Sequence, residues 1–204
     1  MAQASVPIPL VAHQHKLASE VMGKAFHNDP LWKYLIPDEA KRARAVSLSM
    51  NILVRYSLLY GKIYTTPTLD GVACWLPPSE TNPSFSRLVR IGIRSAPFQL
   101  GWAGLRRYLA IENYCGKVHK SIVPGTHWYL WGLGVMPSQQ GLGIGGMLMQ
   151  PVLALAEIDR LSCYLETMHE KNVPFYEKHG FKVVSDGALP GHSLHIWAML
   201  REPG

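Results

Sequence analysis

The sequence has little of what would mark a disulfide-bonded, metal-stapled or membrane-spanning chain. It holds three cysteines in 204 residues. Cys74, Cys115 and Cys163 lie far apart, in odd number and without CxxC spacing, which argues against a disulfide framework and against a zinc site. None of the nine histidines falls in an HExxH or other paired-ligand spacing, so no metal is expected. No apolar run approaches the ~20 residues that a membrane span needs. The most apolar stretch, 91–105, is broken by Arg94, Pro97 and Gln99. The opening residues 1–7 lack a basic flank leading into an apolar stretch, so no leader peptide is expected, and a reduced, cytoplasmic setting is the simplest reading.

Charged residues are also sparse, at 17% against 48% hydrophobic, which excludes global disorder. The length fits one globular domain over 1–204 with a core that needs no staples. Acids are scarcer than bases, 14 against 20, for a net charge of +6. Such a balance favours an anionic partner. No nucleic-acid-binding signature accompanies it, and Trp128, Trp131 and Trp197 fall in strand contexts that read as core. Neither nucleic acid nor membrane is expected as a partner; a phosphorylated small molecule suffices.

Periodicity is clear at both ends of the chain. His15–Phe26 reads as a helix, stopped by His27-Asn28-Asp29-Pro30, and a second helix runs from an Asp38 cap to about Tyr60, ending at Gly61. Residues 62–66 and 71–76 read as a hairpin. Residues 79–126 are least legible, with helices at about 84–94 and 102–120 and a cluster of arginines. This segment reads as a solvated helical face or as a lid over an acceptor pocket. The final third reads as a strand 127–135, a loop, a glycine-led helix to about Arg160, a strand 163–167, a short helix 173–179 and strands 181–185 and 194–200. Pro151 is expected to bend the long helix. Strands alternating with helices, plus a hairpin, indicate an α/β (α+β) layered fold.

The strongest local signal is Gln140-Gly141-Leu142-Gly143-Ile144-Gly145-Gly146. Glycines at a helix entrance let backbone N–H groups approach an anion closely, and the helix start adds its partial positive charge. Gly141, Gly143 and Gly146 also satisfy GxGxxG, with Glu166 downstream where a ribose-binding acid belongs. Three features count against a dinucleotide site. Five residues separate Val135 from Gly141, 58 residues follow Gly146, and no further βα unit follows Glu166.

The neighbours of the turn give it another meaning. Leu133-Gly134-Val135 precedes it, and Asn172-Val173-Pro174-Phe175-Tyr176-Glu177-Lys178-His179-Gly180-Phe181 follows. In that order they resemble the GNAT N-acetyltransferase superfamily over 127–200, most nearly its puromycin N-acetyltransferase-like members. The resemblance implies a mixed, mostly antiparallel twisted sheet with helices on both faces. It further implies acetyl-CoA as co-substrate and direct acetyl transfer to a primary amine of a small molecule, a puromycin-like aminonucleoside being one candidate. By the same resemblance Leu133, Gly134 and Val135 hold the pantetheine arm, and the Val135 N–H serves the oxyanion. Gln140, Gly141, Leu142, Gly143, Ile144, Gly145 and Gly146 hold the pyrophosphate, Asn172 assists, and Tyr176 is the general acid. Glu166 is one candidate base; His27, Asp29 and Glu112 are others. A CoA-binding module without turnover, acting as a sensor, remains an alternative, as do monomer and homodimer.

Overall fold

Alternate residues of one strand, Gly71–Leu76, face two different layers of apolar side chains, and every residue in it is buried. Val72 and Cys74 join one cluster with Met22, Val46 and Val54. Ala73 and Trp75 join another with Leu148, Met149 and Val152. A strand with two apolar faces needs helices on both sides, and the computed structural model, which describes residues 6–204, has them. Of the segment read for a leader, residues 1–5 lie outside the described residues.

The elements run β1 (Ile8–Pro9), α1 (His15–Phe26), α2 (Pro30–Leu35), α3 (Glu39–Tyr60), β2 (Lys62–Thr65) and β3 (Gly71–Leu76). Then follow α4 (Phe85–Ile91), α5 (Ala96–Ile122), β4 (His127–Val135), α6 (Ile144–Asp159), β5 (Ser162–Thr167), α7 (Val173–Glu177), β6 (Lys182–Ala188) and β7 (His195–Arg201). Among the described residues the strands form one sheet in the order β1-β2-β3-β4-β5-β7-β6. Each neighbouring pair is antiparallel except β4 with β5. The fold is the mixed, mostly antiparallel α/β layer expected. No helix is long and apolar enough to cross a membrane.

Boundaries at the two ends agree with the sequence reading, because caps and breakers set them. Asp38 caps α3 through Lys41 N–H at 3.1 Å, and the chain leaves that helix at Gly61. α6 runs continuously through Pro151. Two elements escaped the sequence reading. The Asp29-Pro30 pair that stops α1 also starts α2, with the Asp29 carboxylate accepting from Leu31 N–H at 2.9 Å. β1 is too short to carry a period. In the middle segment, α4 ends at Gly92, and α5 begins before Pro97 and kinks at Gly101.

A buried arginine fixes the turn between α1 and α3. Arg42 donates to the carbonyls of His27, Ile36 and Pro37 at 3.0–3.1 Å, filling the acceptors left open where α1 and α2 end. α1 lies close against β4 because Gly132 and Gly134 present no side chain there. A Cβ on Gly134 would stand 2.7 Å from the Met22 sulfur and 3.0 Å from the Ala25 Cβ. Gly134→Ala is therefore expected to destabilise the protein by about 1–3 kcal/mol through overpacking, read as a lower urea midpoint with unchanged m-value.

Candidate active site

β4 carries one extra residue at Trp131, where the register against β3 shifts between Cys74 and Trp75. A bulge bends its strand, and this one follows directly on the last parallel pair. β4 and β5 are paired only from His127–Tyr129 against Ser162–Tyr164. Beyond that point β5 continues along β7 to Thr167 and β4 continues along β3 to Val135, so the sheet forks.

The fork leaves one edge of β4 without a strand partner. Met136 N–H donates to Asp70 O at 2.8 Å, on the β3 side. Because successive residues of a strand turn their N–H groups to opposite edges, Val135 and Leu133 direct theirs into the fork. The Val135 carbonyl faces the same way and accepts from the Gln140 side chain at 3.1 Å.

A cavity of about 610 Å³ fills the fork. Its lining includes Leu133, Gly134, Val135, Gln140, Asn172 and Tyr176 together with Phe26, Asp29, Trp32, Tyr108, Glu112 and Glu166, with Phe26 against Gly134 and Asp29 near enough to act on the Tyr176 phenol. The structure thus gathers nine of the site residues named from the sequence around one space, the candidate bases Asp29, Glu112 and Glu166 among them. Gly141, Leu142 and Gly143 form an exposed turn beyond Val135, and Ile144, Gly145 and Gly146 continue it as the half-buried to buried first turn of α6. Gly141 and Gly143 have φ of 80° and 79° with open space where a Cβ would be, a backbone that favours glycine. Gly143 starts α6 with no side-chain cap, so the first-turn N–H groups at Ile144, Gly145 and Gly146 are free to bind an anion. Gly145 and Gly146 have a packing duty too: a Cβ there would meet Phe175 at 3.2 Å and His179 at 2.5 Å.

Glu166 is partly buried and accepts from the Tyr129 hydroxyl at 2.7 Å. Loss of hydration, with Glu112 nearby, pushes its carboxyl up to about 7, against an ordinary value of 4.5. Burial, with Asp29 adding to it, raises the Tyr176 phenol well above 10, so it stays protonated. Burial likewise raises the Cys115 thiol, which lines the same cavity. Asp29 and Glu112 are also raised by desolvation. His27 does not reach the site: it lies outside the cavity and pairs with Glu39 at 3.6 Å. Asn172 donates to the Thr167 hydroxyl at 3.2 Å and gives α7 no side-chain cap.

Behind Glu166, His119 and His127 meet Nε2 to Nε2 at 2.6 Å, and His127 Nδ1 lies 2.7 Å from Gly125 O. A carbonyl only accepts, so His127 carries its proton on Nδ1, and His119 donates from Nε2. Desolvation, with His127 adjacent, lowers His119 to about 4, so the pair is neutral at physiological pH. Tyr129 and this pair border the site without a signal in the sequence: the partner of Tyr129 lies 37 positions away, and the two histidines, 8 apart, belong to different elements, α5 and β4. Among the described residues no group of three or more His, Cys, Asp or Glu side chains is placed to hold a metal ion.

Residues 81–181 match the model of the acetyltransferase (GNAT) family. An uncharacterized N-acetyltransferase of Schizosaccharomyces pombe is 25% identical over 94% of this chain and 81% of that protein. A Corynebacterium glutamicum structure described as histone acetyltransferase HPA2 and related acetyltransferase superposes with TM-score 0.67 over 98% of this chain and 97% of that one, at 21% identity. Arylalkylamine N-acetyltransferase 2 of Aedes aegypti superposes with TM-score 0.63 over 99% of this chain and all of that one, at 10% identity. At these identities the two structural likenesses speak for the fold.

The elevated Glu166 has a consequence for stability. Between about 4.5 and 7 the folded chain keeps a proton that the unfolded chain has released, so this group's contribution declines as pH rises through that window. Glu166→Gln, which cannot ionise, is expected to raise the melting temperature relative to wild type above about pH 7 and to lose that advantage below about pH 4.5, as calorimetric scans at the two extremes would register.

Proposed function

We propose, from the premise that this chain belongs to the GNAT acetyltransferase superfamily, that it transfers the acetyl group of acetyl-CoA directly to a primary amine of a small molecule. The observation that carries this reading is the fork: an unpartnered strand edge leading straight into an uncapped, glycine-lined helix start. Such an edge accepts an extended chain of amides by strand-like hydrogen bonds, and the helix start accepts phosphate. The residues fit a CoA thioester, which supplies the activated acyl group when bound. Leu133 and Val135 offer their main-chain groups to the pantetheine arm. The turn from Gln140 through Gly146 offers its amides to the pyrophosphate. Gln140 is neutral and already engaged with the Val135 carbonyl, so main-chain N–H groups supply the attraction. Asn172 borders the same cavity.

The chemistry follows from the two titrating groups and one amide. Glu166, poised near 7, takes the proton from an ammonium acceptor, because a base works best when its pKa lies near the working pH. The Val135 N–H donates to the oxygen on which charge develops as the amine attacks. Tyr176, held protonated by burial, gives its proton to the leaving sulfur. Cys115 is the cysteine of this cavity, and its raised thiol makes a poor nucleophile, which favours direct transfer over an acetylated enzyme. Asp29 and Glu112, which line the cavity with Phe26, Trp32 and Tyr108, favour an acceptor with a cationic amine on an apolar or aromatic body, a puromycin-like aminonucleoside among them.

CoA release measured on a panel of amines tests this reading. Log kcat/KM is expected to rise with pH and level off above about 7, and Glu166→Gln to abolish that limb with a loss of roughly 10²–10⁴ in rate. Tyr176→Phe is expected to lower kcat while leaving CoA affinity intact by calorimetry. Tight CoA binding with no turnover of any amine would instead favour the sensor, and absence of CoA binding would sink both.

A further inference from the structure

We infer that the outer surface of α4 and α5 docks on an anionic lipid bilayer. Residues 84–126 hold seven lysines and arginines against a single acid, Glu112, so this one segment accounts for the whole net charge of +6. Two of the seven work within the fold: Arg87 pairs with Glu80, and Arg107 donates to Tyr34 O. The other five, Arg90, Arg94, Arg106, Lys117 and Lys120, are exposed, and no ion pair engages them among the described residues.

Large apolar side chains stand among these cations. Phe98 is 93% exposed, Trp102 82% and Leu109 57%. Beyond the Gly101 kink, the spacing of Trp102, Arg106, Leu109, Asn113, Lys117 and Lys120 places them on one stripe of α5, and all six are exposed. The opposite side of the same helix brings Tyr108, Ile111, Cys115 and His119 to the cavity wall. A surface helix ordinarily keeps its apolar residues inward. Here a second apolar row faces outward, interleaved with cations and free of acids, the make-up of a helix lying in a membrane interface. Lysine and arginine stems reach past the aromatic rings to lipid phosphates.

Other occupants fit less well. A second copy docked by a two-fold would press the same unpaired cations against each other. A nucleic acid would use the charge and the aromatic rings but gain nothing from Leu109. The sequence expectation of no membrane partner rested on the lack of a spanning segment, and a helix lying on the surface needs none. Docking in this way sets the α5 wall of the cavity against the bilayer, where amphiphilic amines concentrate.

Co-sedimentation of the full chain with phosphatidylcholine vesicles, with and without phosphatidylserine, decides the matter, each variant first shown to keep its circular dichroism melt. Binding is expected with phosphatidylserine only and is expected to fade as salt rises. F98S/W102S is expected to weaken it about tenfold or more, Arg106→Glu to weaken it by about as much, and Lys182→Glu, the same charge change on β6, to leave it in place. Four results would overturn the proposal. These are no sedimentation of wild type with phosphatidylserine, equal loss in Lys182→Glu, a dimer on gel filtration that F98S/W102S dissolves, and binding of a single-stranded oligonucleotide without vesicle binding.

Discussion

The whole site depends on a strand edge that stops being paired. Main-chain N–H and C=O groups withdrawn from water need partners, and β4 loses its β5 partner after three residue pairs. The bulge at Trp131 turns the strand away, while β7 keeps β5 on its own course. The Val135 carbonyl finds the Gln140 side chain; the N–H groups of Leu133 and Val135 face the cavity. An edge of this kind stays exposed only where a ligand or water serves as the missing strand. The fork also explains why the glycine turn follows where it does. The helix that begins at Gly143 packs its first turn under Phe175 and His179 through Gly145 and Gly146, which draws α7, and Tyr176 with it, to the mouth of the same opening.

The fork sets the electrostatics as well. Parting two strands opens a space deep in the sheet, and Glu166 stands in it with little water. The Tyr129 hydroxyl reaches it from the opposite branch, so one hydrogen bond spans the fork just above the last paired residues. That bond favours the charged carboxylate, yet desolvation outweighs it and the net shift is upward. Tyr176 shows the complementary case, an acid that the same dryness keeps protonated. One environment thus lifts both a carboxyl and a phenol, and loss of hydration is the main cause of both shifts.

Much of this was legible in the sequence where local chemistry decides local structure. The caps and breakers of α1 and α3, the β2–β3 hairpin and the glycine entrance to α6 all leave short-range signals, and the structure has them in place. Seven of the nine cavity residues named from the sequence came from the order of motifs rather than from any one motif. What stayed hidden is relational. The Asp29-Pro30 pair read as an ending and is also a beginning. Arg42, whose guanidinium serves three carbonyls, looks on the page like any surface arginine of an amphipathic helix. Tyr129 gains meaning from a carboxylate 37 positions away. His27 stands next to the cavity in sequence, yet its ring pairs with Glu39 instead.

The middle segment resisted reading because α5 has two apolar rows instead of one. A single moment points inward when one face is apolar; Trp102 and Leu109 on the outer side blur it, and Gly101 interrupts its phase. The anchoring of α5 is correspondingly uneven. Its far end is tied to the start of β4 by the His119–His127 bond, and its middle to the end of α2 by Arg107. The stretch from Gly92 to Gly101 has a left-handed glycine at each end, with open space around both. Ile93, Ala96, Gln99 and Leu100 of that stretch form part of the cavity wall. The cavity wall is therefore tied by side-chain hydrogen bonds from Arg107 and His119, and its stretch from Gly92 to Gly101 is bounded by conformationally free glycines.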